Sequence, residues 1–269
     1  MTRTILIGLL ALVTLGARAE TMQVSDLAVS RVLVMGSAEV EITQAGESLL
    51  QIRGDQEDLQ KRPFYVRGDT LVLGASKEYK RHDFSSVKYK LSLPELEELS
   101  LNGSGDVYVK PLQAESMAVN LSGSGDIKLF SLTSDAADLR VEGSGDIQVA
   151  ELAAPLLEML VAGSGDIAIG DLDGDIIEVT VSGSGDVSVK SSQSKGSSLE
   201  ANVIGGGAIN LARFDVDAAE INVIGSGDVR IGDVLALEVN IIGSGDIYYG
   251  GDPDIDSNVL GSGDLNRRQ

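Results

Sequence analysis

Leu99-Ser100-Leu101-Asn102-Gly103-Ser104-Gly105-Asp106-Val107-Tyr108-Val109 is answered by Val119-Asn120-Leu121-Ser122-Gly123-Ser124-Gly125-Asp126-Ile127-Lys128-Leu129 after an interval of 20 residues. The tetrapeptide Gly-Ser-Gly-Asp begins again at 143, 163, 183, 225, 243 and 261, and a degenerate copy, Gly205-Gly206-Gly207-Ala208, fills the long gap. Successive spacings are 20, 20, 20, 20, 22, 20, 18 and 18 residues. A fixed period of this size is the signature of a solenoid. On both sides of each turn apolar residues alternate, as in Leu139/Val141 and Ile147/Val149. Alternation of β-branched residues at period two marks half-buried strands.

Each repeat therefore reads as a strand, a Gly-Ser-Gly turn, a second strand and a short return. One such unit cannot bury its apolar face, whereas stacked units share a continuous core. The expected fold is all-β: a single-stranded, right-handed parallel β-helix (β-solenoid) with about 20 residues per coil. Like-placed residues should lie about 4.8 Å apart along the stack, giving a rod of roughly 40 Å for nine coils. Propeller blades need about 40 residues per unit, and 4% aromatic content suits them poorly. The calcium-roll nonapeptide and the leucine-rich repeat have patterns that are absent here.

Residues 1–19 read as a secretory signal peptide. Arg3 opens it, an apolar run follows from Ile5 to Leu15, and Ala17-Arg18-Ala19 supplies a small-residue cleavage pattern. The run is shorter than the roughly 20 residues a membrane helix needs. The chain is thus expected to be exported to the periplasm or the cell surface, and not to span the membrane. Residues 20–98 carry alternating segments (Arg31–Met35, Val40–Thr43, Leu49–Arg53, Thr70–Leu73 and Val87–Leu93) without the tetrapeptide, and read as early coils or a cap. Residues 99–269 are the repeat solenoid. Lys77–Asp83 and Ser191–Ser198 are polar and read as surface loops.

The absence of Cys removes disulfides, thiol nucleophiles and Cys-based metal sites. The formal charge of −20 becomes −22 once Arg3 and Arg18 leave with the signal, a field that repels nucleic acid. His82, the single histidine, sits between Arg81 and Asp83 in a polar stretch and reads as a surface residue.

Val32-Leu33-Val34-Met35-Gly36, Val40-Glu41-Ile42-Thr43-Gln44 and Leu91-Ser92-Leu93-Pro94-Glu95-Leu96, leading into Asn102-Gly103-Ser104-Gly105-Asp106-Val107, carry a family resemblance. Together with the repeats, from about Val24 to Leu265, the chain resembles the bacterial head GIN domain family, labelled "putative autotransporter adhesin". The resemblance implies an exported β-helical domain and brings no catalytic residues. Only Leu265-Asn266-Arg267-Arg268-Gln269 follow Asp264, so the membrane barrel of an autotransporter is not expected within this sequence.

Two sets of residues stand out. Asp106, Asp126, Asp146, Asp166, Asp186, Asp228, Asp246 and Asp264 should form a carboxylate column. Two such charges about 4.8 Å apart repel by roughly 3–4 kcal/mol at an effective dielectric of 20, so they must be solvated, bonded to turn amides or neutralised by cations. Turn chemistry is the leading reading. Calcium is the ion such a column would take, and no other cofactor is implied. Asp252-Pro253-Asp254-Ile255-Asp256 resembles the start of an EF-hand loop but lacks its sixth-position Gly and twelfth-position Glu. The second set is Ile204, Ile224, Ile242 and Leu260, which precede the later turns where the early repeats carry Asn102, Ser122, Glu142, Ala162 and Ser182. They should form an outward apolar strip, an interface for a homo-oligomer or a partner, beside an Asn202–Asn222–Asn240 column. The alternative is that the shorter coils bury both faces.

The functional expectation is a non-catalytic, adhesin-like envelope or surface module, binding glycan or protein or serving a structural role. The competing class is a polysaccharide-active β-helix lyase or glycoside hydrolase, since paired carboxylates about 5 Å apart hydrolyse glycosides. Eight like aspartates do not single out one acid and one nucleophile, which need unlike environments.

Overall fold

A computed structural model describes residues 20–268 together with the two-residue strand Leu9–Leu10; the expected signal peptide otherwise lies outside the described residues. The repeats form a β-solenoid of about 8 turns with ~20 residues per coil. Every coil pairs in parallel with the one below, Gly103 on Gly123, Gly123 on Gly143, and so upward to Gly243 on Gly261. The inward residues of successive coils therefore stack like on like. Val107, Ile127, Ile147, Ile167 and Val187 form one column, and Leu101, Leu121, Val141, Val161 and Val181 another, all at most 1% exposed.

The return segment is not a bare connection, as the sequence pattern had implied. Asp126–Gly143 is one 18-residue strand, bent where its ladder skips Phe130 and Asp135. It stays β because it carries a third buried column, Leu112, Leu132, Leu152 and Leu172. Ser191–Ser198 lies mostly on the surface as expected but is a loop only over Gln193–Lys195. Strands Val187–Ser192 and Gly196–Gly205 occupy most of it. Three of its hydroxyls bond to the coil below: Ser191 Oγ donates to the Gly170 carbonyl, Ser192 Oγ to that of Leu172 and Ser194 Oγ to that of Gly174. The following coil accommodates Phe214, fully buried, against Gly196, where a side chain would collide with the ring.

The turn glycines have a common cause. The Gly103 carbonyl accepts N–H bonds from Ser124 (2.9 Å) and Gly125 (3.1 Å), and the pattern recurs in the coils above. This brings backbones so close that a Cβ on Gly123, or on Gly125, would lie well inside 3.0 Å of a carbonyl oxygen below. The first glycine also has a positive φ, 131° at Gly123, which L-residues rarely adopt.

Residues 31–44 form a coil in the same register, with Gly36 on Gly103 and Glu39 on Asp106. Ala38 holds the second-glycine position. The strand pair beneath it, Thr70–Leu73 and Lys88–Leu93, is joined by the longer segment 74–87 instead of a Gly-Ser-Gly corner, and Gly74, a Cβ on which would lie 3.3 Å from that of Ala38, sits under its methyl. Chain order and stacking order thus differ: 70–93 lies beneath 31–44, and 98–109 lies above it. Below that the ladder turns antiparallel, with Leu49–Gly54 on Lys88–Leu93, Glu20–Ser25 on Leu49–Gly54, and Phe64–Arg67 on Thr70–Leu73. These strands close the N-terminal end of the core.

The stacking account makes a paired prediction. Gly145→Ala places a methyl against the Gly125 carbonyl and should cost about 1–3 kcal/mol in urea unfolding. Gly206→Ser, where the nearest atom to a Cβ is 3.7 Å away, should leave the midpoint within about 0.5 kcal/mol of wild type. Equal effects at the two positions would overturn the account.

Candidate binding surfaces of the coil stack

The aspartate column is tied into the corners. Asp146 Oδ1 accepts the Asp166 N–H at 3.0 Å, and Asp166 Oδ1 accepts that of Asp186 at 2.8 Å. Asp186 does the same for Ala208, Asp228 for Asp246, and Asp246 for Asp264. From Asp126 to Asp246 each carboxylate thus caps an amide of the next coil through Oδ1. Arg230 pairs with Asp228 at 3.1 Å and stacks on Tyr248 at 4.8 Å. The charge of Asp246, hydrogen-bonded to the Tyr248 hydroxyl, pushes that phenol above its ordinary range. Among the described residues, no group of three or more His, Asp or Glu side chains is arranged to hold a metal ion. The run Asp252–Asp256 lies in the strand Ile247–Gly261, so it is extended and does not wrap as an EF-hand loop would.

The strand preceding each corner presents three outward columns. In the last four coils the row reads Glu-x-Asn-x-Ile-Gly, with Asp256 and Leu260 as conservative departures. Ile204, Ile224, Ile242 and Leu260 stack in register and are 51%, 50%, 51% and 60% exposed. They point outward, so these coils do not bury both faces. Beside them Asn222 donates its amide to Asn202 Oδ1 (3.1 Å), Asn240 to Asn222 (3.2 Å), and Asn258, which the sequence reading had passed over, to Asn240 (3.4 Å). The third column, Asp138, Glu158, Glu178, Glu200, Glu220, Glu238 and Asp256, was also missed. Its period is plain once the register is known, because each member sits four residues before the residue that precedes the glycine.

On another corner, five coils line a groove of about 1090 Å³. Small residues floor it: Ala114, Ser134, Ala154, Gly174 and Ser194. Glu115, Asp135, Asp175 and Lys195 stand along one rim. Ser134 is buried, and its hydroxyl is without a hydrogen-bond partner among the described residues. Gln44 bonds to the Gln113 backbone at the groove's N-terminal end.

His82 is more than a surface residue. Its Nε2 lies 2.6 Å from Asp58 Oδ1, Ser86 Oγ donates to Asp58 Oδ2 at 2.7 Å, and Lys61 Nζ stands 3.2 Å from His82 Nδ1. These contacts tie the segment after Gly74 to the short helix Gln56–Gln60. Burial by itself would raise the Asp58 carboxyl, but the hydrogen bonds from His82 and Ser86 outweigh it and hold the group below its usual range. Ser86 meets the aspartate and not the imidazole, so the trio is not the relay of a serine hydrolase. Beneath it, the buried Tyr89 hydroxyl donates to the Pro63 carbonyl (2.9 Å) and accepts the Gly74 N–H (3.2 Å).

Two expectations follow. Ala208→Asp completes the amide-capping column beneath Asp228 and should stabilise the chain by about 0.5–1.5 kcal/mol, whereas Asp166→Ala should destabilise it by a similar amount in urea unfolding. No gain at 208 would count against the capping role. Because folding depresses the Asp58 pKa, its contribution is present above the unfolded value of 3.8 and lost as pH falls through the folded one. Between about pH 5 and pH 2.5, Asp58→Asn should lose less stability than wild type; equal losses would show that the cluster does not form.

With this geometry, the similarities to other proteins are informative. No curated protein matches the sequence significantly. Solved structures share the fold over nearly the whole chain. One from Parabacteroides distasonis, named "Putative lipid binding protein", is 25% identical, covers 94% of this chain and 98% of its own, and superposes with a TM-score of 0.65. A "putative adhesin" from Bacteroides fragilis is 19% identical over 94% and 98% of the two chains (TM-score 0.61). Another from Parabacteroides distasonis is 17% identical over 93% and 97% (TM-score 0.67). The family described as "Putative auto-transporter adhesin, head GIN domain" matches residues 29–200 and 191–253. Its matched span takes in the first coil at Gly36 and all but the last of the corners above it, and this chain belongs to that family.

Proposed function

We propose that this chain is an exported, non-catalytic binding module of the bacterial envelope or cell surface, which holds an extended ligand along its coil stack. The observation that carries the reading is the groove across five coils. Each coil adds a like-placed floor and rim residue at a rise of about 4.8 Å, which suits a linear polymer better than a compact small molecule. The rim carboxylates at Glu115, Asp135 and Asp175 disfavour anionic polymers, so neutral or amine-bearing glycans are the ligand class. Adhesion is what the names of two of the structural relatives describe.

Catalysis is the weaker reading for a positive reason. The central repeat carboxylates Asp146 and Asp166 sit in like settings, each capping the next coil, whereas a hydrolytic pair needs environments that drive two pKa values apart. Calcium binding at the aspartate column is the remaining use of those residues. It predicts a rise in unfolding temperature with calcium that Asp146→Asn with Asp166→Asn removes.

The groove is tested by titrating the purified protein with a panel of linear oligosaccharides, neutral and amine-bearing. Glu115→Arg with Asp135→Arg should weaken binding of amine-bearing chains at least about tenfold, equivalent to 1.4 kcal/mol, without moving the unfolding midpoint. Gln148→Arg, on a different face, should not. Unchanged affinity in the groove variant would remove the groove from the reading, and release of reducing ends by wild type would favour the enzyme.

A further inference from the structure

The two ends of the stack are unlike. At the N-terminal end, antiparallel strands cover the first coils and close the core. At the other end, Gly250–Gly261 pairs along one edge with the coil below, and among the described residues only Ile247–Tyr249 is covered on the far side, by Leu265–Arg267. The inward columns are cut open there. Leu237 and Ile241 are at most 2% exposed, but Ile255 and Val259 directly above them are 41% and 40% exposed, next to Leu260 at 60%.

We infer that this C-terminal edge binds a second copy of this chain, edge against edge, around a twofold axis at Ser257. The occupant follows from three features. A strand edge is complementary to itself in antiparallel pairing. The closed N-terminal end blocks head-to-tail addition, so association through this edge is isologous and stops at two. One register also matches the side chains. With Ser257 opposite itself, Ile255 meets Val259 of the second copy and Val259 meets its Ile255, which joins the apolar columns of the two rods. The same register sets Asp256 against Asn258 and Asp254 against Leu260, so no aspartate faces another. A slip of one residue would place inward side chains opposite outward ones. A slip of two towards the N-terminus would set Asp256 against Asp256.

The chain contains no Cys, which makes single-cysteine crosslinking clean. Ser257→Cys would place two sulfurs across the axis on backbones about 4.5–5.5 Å apart, within disulfide reach. Under mild oxidation it should give a covalent dimer, while Ile242→Cys on the exposed side column should not. The wild-type protein should scatter light as a dimer at micromolar concentration, with a longest dimension in small-angle X-ray scattering about twice that of Ile255→Lys with Val259→Lys. That variant should be monomeric with an unchanged circular dichroism spectrum. A wild-type monomer at several hundred micromolar would overturn the inference. So would a dimer of unchanged length that crosslinks through Ile242→Cys and not through Ser257→Cys.

Discussion

From Gly36 through Gly205 the carbonyl of the first glycine accepts two N–H groups from the coil above, at Gly225 and Gly243 it accepts one, and these bonds depend on there being no side chains in the way. The contact sets the period of the molecule. Where it recurs, the next coil is placed in register, and the flanking strands inherit their parallel pairing from it. The aspartate after the second glycine reinforces the same junction by capping an amide one coil higher. A corner can lose that aspartate, as at Ala208, or lengthen the path between corners, as before Gly205, and the ladder still closes, because the glycine-on-carbonyl contact is retained.

Fixing the inside in this way leaves the outside free. Inward columns are held by packing to mostly Val, Ile, Leu, Met and Ala, with Tyr89, Phe214 and Tyr249 as the aromatic members, whereas outward columns change character along the rod. In the early coils the position before the glycine is mostly polar or small; in the later ones it is aliphatic, flanked by an asparagine ladder and a carboxylate column. The groove arises in the same manner, from small floor residues at a bend where larger ones would fill the space. A solenoid therefore carries its chemistry as linear arrays, and the binding reading rests on arrays, not on a converging cluster.

The ends obey a different rule, since a parallel ladder has no intrinsic stop. The N-terminal end is stopped by reversing strand direction and covering the core with Glu20–Ser25, Leu49–Gly54 and the Phe64–Leu73 hairpin, locked through Asp58, His82 and Tyr89. The C-terminal edge keeps its strand pairing potential, tempered by Pro253 and three aspartates.

The sequence by itself determined the solenoid, the residues per coil, the inward columns and the alignment of the aspartates, because period two and period 20 are both written locally and repeat many times. It also placed Ile204, Ile224, Ile242 and Leu260 on one line. Tertiary structure decided the rest. Residues 31–44 were legible as an early coil or cap, but that Gly36-Ser37-Ala38-Glu39 is a corner in register with the repeats was hidden, because its neighbours in space lie 39 to 67 residues away in sequence. The stacking of 70–93 beneath it reverses chain order, which no local pattern encodes. The groove, the carboxylate column and the His82–Asp58–Ser86 contacts likewise depend on where the chain bends and which coil lies next. Those follow from packing between segments far apart in the chain, and a single repeat read alone carries no trace of them.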